Sequence, residues 1–337
     1  MTTAHGVDVL IVSIGSTAGL RAADEELEQS LRRAGASVAV AKATPPRRVP
    51  TLALTDLGWA LAARRASVAG LAVHSPRAIV YSSTTAALLW PREGAIRFDA
   101  TSAGNRPGRG GVWQRPLERR RLKQTPLLLP WSRGGLDEAP KSAVRGNRAV
   151  VLGVPVQPSG PTDGVRDIAA ITYGANPAKK GLDRVLAAWM RVRRSGEELV
   201  LAGVNEDDLR RTGLELPGEG VRVTGELPRA EYRALLRRAR VFVCAPRRED
   251  YGIAQLEALA DGAQLVTTEA PGPYVALPVA RELDRRLVSE DLAGALRIAL
   301  EEPPGDYAQR AAVALASWST AAIDRLVAEQ LLPRLLG

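Results

Sequence analysis

Two glutamates eight residues apart, Glu249 and Glu257, mark the densest cluster of chemically useful residues in the chain, CAPRREDYGIAQLEALADG over 244–262. An apolar run ends at Ala245, a polar loop follows, and a helix is predicted over 252–261 with Ile253, Leu256, Ala260 and Ala263 as its apolar stripe. Glu249 falls just before that helix, and Glu257 flanks the stripe at i+4 from Ile253. A carboxylate in the second position can accept hydrogen bonds from a vicinal diol, as the acidic residue of a dinucleotide fold does with ribose. Glu249, Gly252 and the free N–H groups of the helix start would face an anion docked there. The pattern taken alone is equally compatible with two solvated glutamates, Glu249 merely favouring the helix dipole.

Other segments add candidates. In YGANPAKKGLDRVLAAW (173–189) Lys180 is placed at a helix start, where the dipole disfavours a cation, so a neighbouring anion is the better explanation; Lys179 reads as solvated. IGSTAGLRAAD (14–24) is a glycine-containing turn after the first apolar run, and Gly15 and Ser16 are its candidates for close approach to a diphosphate. AIRFDATSAGNRPGRGG (95–111) offers Asp99, Asn105 and Arg106. There is no His/Cys cluster and no D-x-D, so no metal site is expected. Cys244, the one cysteine, lies in the apolar run RVFVCAP and reads as a buried structural thiol.

Alternating elements must position these groups. Apolar runs at 7–13, 36–43, 77–83, 95–100, 126–131 and 149–154, then 167–173, 198–203, 221–225, 240–245 and 263–268, have the near-continuous hydrophobicity of strands buried on both faces. Amphipathic segments at 22–34, 182–194, 229–238 and 252–261 supply the crossovers. The expected fold class is α/β, two Rossmann-like doubly wound domains facing a central cleft. The hinge is VPVQPSGPTDGVRD (154–167), interrupted by Pro155, Pro158, Gly160, Pro161 and Gly164, giving domains at 1–157 and 158–317. The tail from Asp306 is helical with a break at SWST (317–320), and 318–337 is expected to cross back to the N-terminal domain.

At 337 residues the chain suits two domains, and its net charge of +9 is unevenly spread. Residues 1–150 hold 22 basic and 11 acidic residues, net +11, whereas the remainder is net −2. The segment 106–123 alone carries six arginines and Lys123, a charge run suited either to a solvated face or to an anionic acceptor or lipid surface. It has neither the helix-turn-helix pattern nor the interleaved aromatics of a nucleic-acid module. The N-terminus lacks the basic flank and cleavage site of a signal peptide, and no apolar stretch reaches the ~20 residues of a membrane helix, so a cytoplasmic location with peripheral contact at the inner membrane face is expected.

EDYGIAQLEALADG resembles the E-x7-E signature of GT4-type retaining glycosyltransferases of the GT-B fold, and the likeness extends from YGANPAKKGLDRVLAAW through ELVLAG and VRVTGELPRAEYRALLRRARVFVCAP. The resemblance implies a metal-independent sugar transfer from a nucleotide-diphosphate sugar, as co-substrate without a further cofactor, to an acceptor hydroxyl. It implies that Glu249 holds donor-sugar hydroxyls, Glu257 the ribose diol and Lys180 the departing phosphate, with the backbone at Tyr251, Gly252 and Ile253 nearby. Asn176 would cap the turn or touch phosphate. Gly15 and Ser16 would close on the diphosphate, and Asp99, Asn105 and Arg106 would face the acceptor. Two departures stand out: Ala175 occupies the usual arginine position, with Arg247 and Arg248 as substitutes, and Phe98 occupies the usual histidine position, which neither His5 nor His74 replaces. A nucleotide-sugar epimerase of the same fold and a non-catalytic nucleotide-sugar or polyanion-binding protein remain open alternatives.

Overall fold

The computed structural model describes residues 6–47, 51–144, 146–162 and 164–337. Two compact units emerge, one running to Pro155 and rejoined by Trp318–Gly337, the other Val156–Ser317. The first boundary thus lies slightly before the expected 157/158 division. The segment 318–337 is not a separate piece. Ile323, Val327 and Leu331 bury against Leu27 and Leu31 of the Ala18–Arg33 helix, and Arg33 grips Asp324 through Nε at 2.6 Å and Nη2 at 2.9 Å. Its break falls at Trp318–Ser319, where the Ser319 hydroxyl accepts from Ala322 N and caps the Thr320–Leu326 helix.

The first unit holds five parallel strands, β1 (Val9–Ser13), β2 (Val38–Lys42), β3 (Ala78–Tyr81), β4 (Ala95–Phe98) and β5 (Leu128–Pro130), in the order β2-β1-β3-β4-β5. Successive β1 side chains alternate faces: Leu10 and Val12 join Ala63 of the Leu52–His74 helix, while Val9 and Ile11 join Leu27 and Leu31. That is why β1 is a continuous apolar run.

Residues 149–154, expected as another strand, do not complete a ladder. Val150 N and Leu152 N donate to Leu128 O and Pro130 O, both at 2.9 Å, but Pro130 has no N–H to return the bond, and only the single bridge Leu128↔Ala149 forms. The proline in β5 ends the sheet there.

The second unit holds β6 (Ile168–Tyr173), β7 (Leu199–Ala202), β8 (Val221–Gly225), β9 (Ala239–Cys244) and β10 (Gln264–Thr267), all parallel, in the order β10-β9-β6-β7-β8. Strand order reverses between β1 and β3 in one unit and between β6 and β9 in the other. In open α/β sheets a ligand binds outside the carboxyl ends of the strands at such a reversal. The fold therefore singles out the loops after β6 and β9, and those after β1 and β3.

Candidate active site

The loops after β6 and β9 hold most of the predicted residues. After β6, the Asn176 side chain accepts from Lys179 N at 3.1 Å and Pro177 opens a single turn, Pro177–Lys180. Gly181 then turns left-handed at φ +64, and a Cβ on it would lie 2.0 Å from Ala245 O. Only glycine lets the two loops meet this closely. Arg247 N donates to Lys179 O at 2.9 Å and completes the seam.

That seam sets Lys180 against Glu249, with Nζ donating to Oε2 at 2.6 Å. Lys180 therefore ends a short turn instead of opening a helix, because Gly181 divides the expected helix before Leu182–Val192. Lys180 still immediately precedes Gly181, the N-cap of the Leu182–Val192 helix, and so stands beside the positive end of that helix. Burial alone would depress the Lys180 ammonium, but the Glu249 carboxylate outweighs it and holds the group above the ordinary lysine value.

Glu249 is almost fully buried, and its Oε2 also accepts from Gln255 Nε2 at 3.0 Å. Its Oε1 accepts no hydrogen bond among the described residues. Its backbone is fixed by Glu249 N donating to Pro271 O at 3.1 Å, with Gly272 (φ +109) allowing that approach. Glu257 repeats the arrangement. Oε1 accepts from Arg229 Nη2 at 2.9 Å and Arg233 Nη1 at 3.4 Å, and Oε2 makes no bond among the described residues. Each carboxylate is thus engaged through one oxygen, and the other has no hydrogen-bond partner among the described residues.

Arg233 anchors this side of the site. Its Nε donates to the buried Asp261 at 2.6 Å and its Nη2 to Gln157 O at 2.8 Å. Arg229 and Arg233, four apart on the Arg229–Arg238 helix, face Glu257 and Asp261, four apart at the Ile253–Ala260 helix. Sequence reasoning missed both arginines and Gln255. The matched four-residue spacings were the signal for the arginines.

The remaining loop cations are neutralised locally. Lys179, expected to be solvated, pairs with Asp250, which also accepts from Arg248 Nε at 2.7 Å. Arg247 donates through Nη1 and Nη2 to Asp183 at 2.9 and 2.6 Å, so a donor phosphate would have to compete with Asp183 for it. Tyr251 is buried, its carbonyl accepting from Val275 N at 3.0 Å. Gly252, at φ +97, precedes the helix that starts at Ile253. Cys244 lies beneath, bonded to Thr267, and burial pushes its thiol up, as expected of a structural cysteine.

In the first unit, Gly15 (φ +50) and the exposed Ser16 follow β1 at the strand-order reversal. Below them Ser13 Oγ donates to the buried Asp24 at 2.5 Å, and Arg97 Nη1 donates to Ala23 O at 2.9 Å. Asp99 follows β4, one strand further along, and its Oδ1 accepts from Ala100 N at 2.8 Å. Asn105 ends the next short helical turn, while Arg106 is engaged by Asp56 at 2.8 and 3.2 Å. Phe98 is buried in the core. His74 ends the Leu52–His74 helix, and His5 lies outside the described residues. Asn176, Lys180, Arg247, Glu249, Tyr251, Gly252, Ile253 and Glu257 belong to the second unit, whereas Gly15, Ser16, Asp99, Asn105 and Arg106 belong to the first. No group of three or more His, Cys, Asp or Glu side chains able to hold a metal ion occurs among the described residues, and no described helix is long and apolar enough to cross a membrane.

Both units together resemble solved glycosyltransferases. WaaG, a glycosyltransferase involved in lipopolysaccharide biosynthesis, superposes with a TM-score of 0.69 at 17% identity, covering 98% of this chain and 99% of that one. Anabaena Alr3699/HepE, solved in complex with UDP and glucose, gives 0.66 at 14% identity, covering 96% and 99%. These likenesses define the fold as GT-B. Residues 168–302 match the family model described as glycosyl transferases group 1, so the second unit is a glycosyltransferase domain belonging to that family. A 115-residue stretch is 31% identical to the GDP-mannose:cellobiosyl-diphosphopolyprenol alpha-mannosyltransferase of Xanthomonas oryzae pv. oryzae (strain PXO99A), covering 31% of this chain and 29% of that protein. The chain thus aligns with less than a third of that relative's length.

Proposed function

We propose that the chain is a retaining, metal-independent glycosyltransferase that moves a sugar from a nucleotide-diphosphate sugar to an acceptor hydroxyl. One observation carries the reading: at the β6/β9 reversal, two buried carboxylates each keep one oxygen without a partner among the described residues, and Glu249 is paired through its other oxygen with the partly buried Lys180. Glu257 Oε2 takes the ribose diol and Glu249 Oε1 takes a hydroxyl of the donor sugar. Lys180 meets the charge that grows on the departing phosphate, with the N-terminus of the Ile253–Ala260 helix on the same side. These fixed charges do the work a divalent ion does elsewhere. The acceptor hydroxyl attacks on the face the diphosphate leaves, and the leaving phosphate oxygen takes its proton. Preorganised electrostatics around an oxocarbenium-like transition state is then the main catalytic contribution.

The first unit binds the acceptor, with Gly15 and Ser16 at the diphosphate and Asp99, Asn105 and Arg106 as acceptor contacts. An anionic or lipid-linked acceptor suits the +11 balance of residues 1–150, with the protein cytoplasmic and peripheral at the inner membrane face. The test is turnover of a nucleotide sugar followed by NMR of the anomeric proton. Retained configuration, unchanged rate in EDTA, and a fall of roughly 10²–10³ in Glu249→Ala are expected. Inverted product or abolition by EDTA refutes the mechanism, and wild-type turnover in the variant removes Glu249 from the site.

A further inference from the structure

The helix after Glu249, Ile253–Ala260, buries every residue from Gln255 to Ala260. Glu257 is already placed in the site, which leaves Gln255 as the buried polar side chain of that run without a role. It is 1% exposed. Its Nε2 donates to Glu249 Oε2 at 3.0 Å, the same oxygen that accepts from Lys180 Nζ at 2.6 Å, and lies 3.7 Å from Cys244 Sγ. Its Oε1 is buried and has no hydrogen-bond partner among the described residues. The amide cannot turn over to relieve this, because Oε1 would then set an acceptor against the carboxylate. A buried acceptor without a partner is costly, and an apolar side chain of similar shape would avoid that cost beside Leu256, Ala258 and Leu259. The glutamine is better explained by what its Nε2 holds than by packing.

Two donors thus converge on one oxygen of Glu249. Lys180 supplies charge, and Gln255 supplies a second fixed direction without altering the charge. A carboxylate in its place would repel Glu249. The other groups around the pair leave Glu249 to these two donors. Asp250 is taken up by Lys179 and Arg248. Cys244 Sγ donates to Thr267 Oγ1 at 3.3 Å, and Tyr274 OH lies 2.9 Å from the same oxygen. Burial pushes the Cys244 thiol and the Tyr274 hydroxyl up, so both stay neutral at neutral pH.

We propose that Gln255 is a positioning residue for sugar transfer: by holding Glu249 Oε2 beside Lys180, it presents Glu249 Oε1 to a hydroxyl of the donor sugar. Gln255 has this role only if Glu249 binds the donor sugar, as proposed above, and it adds to that site the side chain that orients the carboxylate.

Calorimetric titration of the full chain with UDP-glucose, GDP-mannose, ADP-glucose and dTDP-glucose, each beside its free nucleoside diphosphate, is the test. It is run on the wild type, Glu249→Ala, Gln255→Leu and Gln255→Glu. Gln255→Leu is expected to weaken nucleotide-sugar binding about tenfold and to leave the free diphosphate unchanged, which shows that the variant folds. Gln255→Glu keeps the shape but donates only as the acid. One carboxyl of a pair sharing a site holds its proton well above the ordinary carboxylate range. This variant should therefore bind the nucleotide sugar as the wild type does near about pH 5 and weaken relative to it toward about pH 8. A residue that only fills space gives no such rescue by protons. Wild-type affinity for the nucleotide sugar in Gln255→Leu, equal weakening of nucleotide sugar and free diphosphate, or a Gln255→Glu affinity that follows the wild type at every pH overturns the positioning role; a loss in Glu249→Ala then leaves the donor site standing. No nucleotide sugar bound by the wild type, or wild-type affinity in Glu249→Ala, removes the donor site and this role with it.

Discussion

The two units share one layer architecture but bury charge differently. At its strand-order reversal the second unit holds an array of paired groups: Lys180 with Glu249, Arg229 and Arg233 with Glu257, Arg233 with Asp261, and Lys179 and Arg248 with Asp250. The first unit has Gly15 and Ser16 at its reversal, one buried pair beneath them (Arg97 with Asp24 at 3.5 Å), and exposed cations such as Arg119 and Lys123. Net charge and chemistry therefore sit in different halves. A near-neutral domain can hold the more charged site, because buried charges persist only when partners accompany them. The surplus charge of the other half stays at the surface, free to meet something else.

The contrast can be broken most forcefully at Arg233. Arg233→Ala leaves the fully buried Asp261 and the buried Glu257 short of their partner, and a loss of about 3–5 kcal/mol in the second unit's denaturant transition is expected. A loss below 1 kcal/mol would mean the array is not structural. In the first unit the comparable lever is apolar. Leu331→Ala, in the returning tail, should cost about 2–4 kcal/mol in that unit while leaving nucleotide affinity unchanged. A parallel fall in nucleotide affinity would show that the tail also supports the donor site.

Glu257→Gln sharpens the comparison at the site itself. It should weaken nucleoside diphosphate binding about tenfold while pyrophosphate binding changes little, since only the nucleoside carries the diol. Equal weakening of both would assign Glu257 to the phosphates. The smallest effect is expected from pH. Lys180 is held above its ordinary value in the folded protein, so the stability it contributes is complete below the unfolded lysine value of roughly 10.4 and disappears as pH rises through the folded one. Stability of the second unit should show no Lys180 contribution to its pH dependence near neutrality and an added decline at strongly alkaline pH, absent in Lys180→Met. An identical alkaline decline in that variant would contradict the pairing.

The parts legible in the sequence were those with short-range signatures. Continuous apolar runs located the ten strands of the described residues, and the eight-residue interval of Glu249 and Glu257 singled out the loop and helix that hold the two buried carboxylates. What escaped depended on distant partners or on local chain breaks. Nothing near Lys180 announces that Gly181 must pass against Ala245, and that contact turns an expected helix start into the end of a turn. Arg233 reads as one arginine among many until β8, β9 and their helices bring it to Asp261, 28 residues away. Residues 149–154 have the composition of a strand, but whether a ladder forms depends on Pro130 in the neighbouring one. Gln255 sits on a helix whose apolar stripe hides its bond to Glu249.

On the proposed reading the β6/β9 reversal binds a nucleotide-diphosphate sugar through Glu249, Glu257 and Lys180. Thermal unfolding of the full chain against a panel of nucleoside diphosphates and nucleotide sugars tests it most directly. A ligand at about 100 times its Kd should stabilise by roughly 2.7 kcal/mol, raising the second unit's midpoint by several degrees. At least one member of the panel is expected to give such a shift, diminished in Glu257→Gln. No shift with any nucleotide or nucleotide sugar would contradict it.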